Sequence, residues 1–135
     1  MPNEMRRELS AQRLLKAEEM LSDAEAMLHL SRYRTANNRA YYCVFHAIRA
    51  VLALDGVEFK RHSGNIQYFQ KNYIKTGIFS AEDSDIIISA SEIRNSSDYD
   101  DFYIVSKEDT AELVSSAKIF CDKVNSYLQA RFSAE

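Results

Sequence analysis

The stretch "SEIRNSSDYDDFYIVSKED", residues 91–109, gathers Arg94, Asp98, Tyr99, Asp100 and Asp101 between the end of one helical pattern and the start of the next. A guanidinium among hydroxyls and carboxylates suits two kinds of chemistry. It can grip a phosphate in a cleft, or it can close an internal ion-pair network that sets a helix angle. A second set lies in "NNRAYYCVFHAIRAVL". At 100° per residue, Arg39, Tyr42, His46, Arg49 and Ala53 fall within about 80° of one another, with Cys43 and Ala50 beside them. Tyr41, Val44, Phe45, Ile48, Val51 and Leu52 centre on the other side and read as core. The mixed face meets something: the fourth helix, a second subunit or a ligand. His46 could serve there as a base. It could equally be a buried histidine bonded to a tyrosine or a backbone group, which is the commoner case. A third set is "KRHSGN", residues 60–65. Lys60, Arg61 and His62 precede a helix opening at Ser63, whose free N–H groups can bind an anion. An ordinary N-cap with solvated charges is the simpler reading of those four residues. Arg61, His62 and Ser63, with Arg49, make up the phosphate-binding candidates.

Other chemistry lacks its signature. The chain has no Walker motif, GxGxxG, zinc-ligand spacing, HExxH or GxSxG. Neither a metal nor a cofactor is expected. The two cysteines, Cys43 and Cys121, are far apart and sit in helical patterns, so the expectation is reduced thiols in the cytoplasm. No apolar run approaches the roughly 20 residues of a membrane span, and "MPNEMRREL" lacks the apolar stretch of a signal peptide.

The elements that must position these residues read as helices. Three glycines and one proline in 135 residues are too few for the tight turns of a β-rich fold. Leu14, Ala17, Leu21, Ala24 and Leu28 recur at three and four spacing and predict a first helix over about 5–30. A second is expected over about 35–54, stopped by Asp55-Gly56, and a third from Ser63 to about Lys75. Ser80 with Asp83 and Ser106 with Asp109 resemble capping boxes and open a fourth helix, about 80–97, and a fifth, about 106–130. The chain therefore reads as one all-α domain, a five-helix up-and-down antiparallel bundle. Its core should include Leu21, Leu28, Val44, Phe45, Ile48, Leu52, Ile86, Ile93, Leu113, Phe120 and Val124. The net charge of −3 conceals a basic middle: residues 31–75 carry +6 and the rest −9. Such a middle meets phosphates or complements the chain's own acids.

Four motifs in order, "NRAYYCVFHAIRAVL", "HSGN", "KTGIFS" and "RNSSDYDDFY", resemble the HEPN domain, in its small stand-alone bacterial and archaeal branch. The resemblance covers about residues 10–128. It implies a helical bundle that commonly dimerises, and the small-residue face of the second helix adds to the expectation of a homodimer. It also implies a neighbouring minimal nucleotidyltransferase as partner, in pairs that behave as toxin and antitoxin. Catalytic relatives are metal-independent ribonucleases with an Arg, four to six intervening residues, then a His. The base takes the 2′-hydroxyl proton while the cation steadies the phosphate. This chain departs from that pattern, because the fifth residue after Arg94 is Tyr99. An unperturbed tyrosine, with a pKa of about 10, is a poor base at neutral pH. Asp100 and Asp101 would also repel phosphate. Some paired toxins carry an adenylylated tyrosine two positions after the histidine, and Asp101 stands there. Arg39 and His46 fit the spacing formally but lie mid-helix. Two functions follow as expectations. One is a binding module that partners a nucleotidyltransferase and binds RNA or a nucleotide. The other is a ribonuclease using His46 with Arg39 or Arg94.

Overall fold

Apolar residues three and four apart wind each segment into a helix with one buried stripe. A computed structural model describes residues 2–134 as α1 (Asn3–His29), α2 (Tyr33–Leu54), α3 (His62–Phe69), α4 (Ala81–Tyr99) and α5 (Lys107–Ala134). Among the described residues there is no strand. α3 runs on through a π-helical turn, Gln70–Ile74, where the expectation was one continuous helix. Its first residue is His62, preceded by Arg61, and no side chain caps it, so Ser63 lies inside the first turn instead of before it. The Ser80–Asp83 capping box forms in both directions. At the start of α5, the Asp109 N–H donates to Ser106 Oγ at 3.0 Å.

α2 is the central helix and packs on each of the other four. Small residues let it approach α1 closely: Ala17 and Ala24 on one side, Ala36, Ala40, Ala47 and Ala50 on the other, are all fully buried. Ser10 Oγ donates to the Ala50 carbonyl across this seam at 2.7 Å. Cys43 is likewise buried, with its sulfur 3.9 Å from the Ala117 carbonyl of α5. The small residues beside the mixed face of α2 are thus used within the protomer. Val44, Phe45, Ile48, Leu52, Leu113, Phe120, Val124 and Leu21 are buried as expected, while Leu28, Ile86 and Ile93 pack half-buried at the edge. α2 ends at Asp55-Gly56, where Gly56 takes a φ of +73°. A β-carbon there would sit 2.7 Å from the Arg6 guanidinium carbon, so glycine serves both the turn and the close approach. Among the described residues, no helix is long and apolar enough to cross a membrane.

Candidate functional site

The polar run at the end of α4 is fastened to the first turns of α2. Arg34 donates to the carbonyls of Ser97 (2.5 Å) and Tyr103 (2.7 Å). Asn37, fully buried, donates to Ser97 Oγ at 3.0 Å, and Asn38 donates to Asp98 Oδ2 at 2.9 Å. The last turn of a helix leaves carbonyls without partners, and Arg34 supplies one. The chain then reverses without glycine. Asp100 accepts the Phe102 N–H on its side chain (3.0 Å) and the Tyr103 N–H on its carbonyl (3.2 Å).

This fastening fixes Arg94. Its Nε donates to Asp98 Oδ2 at 3.1 Å, and its Nη2 reaches the hydroxyls of Tyr42 (3.2 Å) and Tyr99 (3.4 Å). The guanidinium carbon also lies over three rings, 5.0 Å from Tyr41, 5.5 Å from Tyr42 and 5.3 Å from Tyr99. Cation–π attraction adds to the Asp98 ion pair, which at 3.1 Å already offsets part of the Arg94 charge. Next to it, Tyr41 Oη and His62 Nδ1 share a hydrogen bond of 3.0 Å. The His62 ring lies 4.0 Å from that of Phe45. Burial, then the Arg94 and Arg49 charges, hold the His62 pKa below the usual histidine value, so it is mostly neutral at pH 7. Burial pushes the Tyr41 hydroxyl up to about 12, against the pull of Arg94, so it stays protonated. Arg94, His62, Tyr41, Ser63 and Gln67 line one open cleft of about 350 Å³.

His62 also borders a second cleft, of about 500 Å³, with Phe45, Arg49, Glu58, Phe59 and Lys60. "HSGN" builds the wall between the two. Asn65 is buried, and its amide donates to the carbonyls of Phe59 (3.1 Å) and Arg61 (2.8 Å), which pins the loop. Gly64 leaves room for Phe59, since a β-carbon there would meet that side chain at 3.1 Å.

The remaining candidates are placed differently. His46 is 7% exposed, and its Nδ1 has no hydrogen-bond partner within the chain. The tyrosine or backbone bond expected of a buried histidine is therefore absent at that nitrogen. Burial first, then Lys16, Arg49, His62 and Arg13, lower its pKa to about 4. No hydrogen bond, ion pair or ring contact joins it to Arg39 or Arg94. Ser10 and Arg13 of α1 bond to the Ala50 and Arg49 carbonyls and so cover this side of α2, with Ala53 buried below. Arg39 is half-buried and donates only to its neighbour Asn38, at 2.9 Å. Arg61, Asp100 and Asp101 are exposed. Arg49 pairs with Glu58 at 3.2 Å, and Glu58 also pairs with Arg13. Among the described residues, no cluster of His, Cys, Asp and Glu could hold a metal ion. Sequence reasoning missed Arg34, Asn37 and Asn38. The polar "NN" opening an otherwise apolar helix was the signal available.

Known proteins resemble the chain over most of its length. A model of the HEPN domain matches residues 10–127. The chain is 33% identical over 113 residues to a Methanocaldococcus jannaschii protein named "Putative toxin MJ0142", covering 84% of this chain and 77% of that one. It is 29% identical to a UPF0332 protein of Thermotoga maritima, over 84% of this chain and 86% of the other. The crystal structure of ST0689, an archaeal HEPN homologue, superposes with a TM-score of 0.64 at 19% identity, over 88% of this chain and 97% of that one. With a family model spanning nearly all five helices, the chain belongs to the HEPN domain family.

Proposed function

We propose that this chain is a toxin-like HEPN protein that binds single-stranded RNA at the Arg94–His62 cleft and pairs with a minimal nucleotidyltransferase. The observation that carries the RNA reading is the setting of Arg94. It is a cation positioned by the Asp98 carboxylate and three tyrosine rings at the wall of an open cleft beside a neutral histidine, where its Nη groups, beside the tyrosine hydroxyls, can meet a phosphate. Phosphate binding needs a positive charge that is already oriented, and unstacked bases need aromatic or apolar walls. The toxin name of the M. jannaschii relative supports a toxin-like role. The nucleotidyltransferase rests on family resemblance alone. Two copies per particle fit the exposed apolar side chains of Phe102 and Ile104 on the loop after α4.

Binding is measured by fluorescence anisotropy of a labelled single-stranded RNA. Arg94→Ala should weaken it roughly tenfold or more, and equal affinity would remove the basis of the reading. A second reading has its own observation. His62 is neutral, accessible and held by Tyr41, which suits a base better than buried His46 does. When Nδ1–H donates to Tyr41, Nε2 is left with a lone pair. Metal-independent RNA cleavage that disappears in His62→Gln would favour a ribonuclease over a binding module.

A further inference from the structure

We propose that the Phe59–Lys60–Arg49 cleft is a second nucleotide subsite, in which a base of single-stranded RNA stacks on Phe59 while its phosphate meets Lys60 and Arg49. The inference rests on the RNA reading above and extends it past His62. The two clefts share that histidine as a common wall, so one strand can follow both.

Three features of the loop favour a built site over a chance exposure. Phe59 is a large apolar side chain left 40% exposed at the cleft wall. Its position is fixed from below by Gly64, whose missing β-carbon makes room for the ring, and laterally by Tyr68, with ring centroids 5.6 Å apart. Its carbonyl is fixed by buried Asn65. A ring ordered before binding loses little entropy when a base lands on it.

The charge around the cleft also fits a phosphate strand. Glu58 is the one acidic side chain in its lining, and it is already paired with Arg13 and Arg49. The Arg13 hydrogen bond and charge hold its carboxyl below the usual range, so it is ionised at pH 7. Of the lining residues, Arg49 and Lys60 outnumber it, and buried Arg13 behind it offsets its charge further. Base stacking on an aromatic side chain tolerates any sequence, because every base presents a π-face. The ligand class is therefore a single strand of at least two nucleotides, read for its backbone and stacking and not for its sequence.

The parent chain contains no tryptophan, which makes the test direct. Phe59→Trp introduces one fluorophore at the proposed stacking position. Saturating it with a single-stranded RNA of about ten nucleotides should quench its emission and leave affinity near the parent's. Phe59→Ala should weaken the same oligonucleotide roughly tenfold in a protein that melts lower but is still fully folded at the assay temperature, while a mononucleotide competitor keeps its affinity. Unquenched tryptophan, or an unchanged oligonucleotide affinity in Phe59→Ala, overturns the subsite while leaving the Arg94 site standing. Equal losses for mononucleotide and oligonucleotide also overturn it, because the residue would then act on the first site. If the parent binds no RNA at all, both readings fall together.

Discussion

The rings of His46 and His62 lie 5.6 Å and 4.0 Å from that of Phe45, yet burial gives the two residues different chemistry. His62 borders two clefts, whereas His46 is 7% exposed on a helix that α1 packs against. A helical wheel groups His46 with Arg39 and Arg49 by angle alone. It could not reveal that α1 lies across that angle. The depressed pKa of His46 has a consequence for stability. Its folded value, about 4, lies below the ordinary 6.5, so the unfolded chain takes up a proton first as pH falls. Above pH 6.5 the group is neutral in both states and contributes nothing to the pH dependence. Between 6.5 and about 4 it should remove about 2–3 kcal/mol of stability, an order-of-magnitude figure from the width of that window. His62 acts with the same sign, so a comparison with His46→Gln isolates the first residue. Urea unfolding at neutral pH and near the lower end of the window should show the parent losing more than the variant. Parallel losses would contradict the burial of a neutral imidazole.

Helix starts were legible in the sequence, because a cap and its partner stand three residues apart. Ser80 and Asp83 illustrate this: the Asp83 N–H donates to Ser80 Oγ at 3.3 Å, and the Ser80 N–H donates to Asp83 Oδ2 at 2.9 Å. Asp83 is buried and pairs with Lys123 of α5 at 3.0 Å, so the cap also ties two helices together. Ser80→Ala should cost about 1 kcal/mol, read as a lower urea midpoint with an unchanged slope. No change in midpoint would show the cap to be energetically idle. Contacts between distant segments were not legible. Nothing local in "RTANN" announces that Arg34, Asn37 and Asn38 will hold the end of α4, some 60 residues on. The question raised by the Arg94–Asp101 cluster therefore needed the tertiary arrangement. The structure shows the network alternative, while the grip on a phosphate stays with the proposed function. Asp98, Asn38 and Arg34 form a network, and the network holds Arg94 at the wall of a cleft. The third helix was misjudged at its start for a related reason. Ser63 has the composition of a cap, but Asn65 bonds back to Phe59 and Arg61 and sets the turn one residue earlier.

At the scale of the whole molecule, charge and exposure divide the surface. The basic middle of the chain supplies Arg49 and Lys60 to one cleft, while Asp100, Asp101, Phe102 and Ile104 form an exposed acidic and apolar rim on the loop after α4. Phe102 is 94% and Ile104 87% exposed, on a loop that Arg34 keeps ordered. Apolar side chains presented so fully suit a partner surface. The dimer reading predicts that light scattering at tens of micromolar gives twice the 15.5 kDa chain mass, and that Phe102→Ser with Ile104→Ser returns it to one. A parent that scatters as a single chain would leave that rim for a different partner. The most direct test of the account as a whole is the affinity of single-stranded RNA for the parent and for Arg94→Ala, measured by anisotropy at fixed, moderate salt beside a thermal melt of each. The account predicts saturable binding by the parent and a loss of roughly tenfold or more in the variant, with both proteins folded. A folded Arg94→Ala protein that binds RNA as tightly as the parent would contradict it.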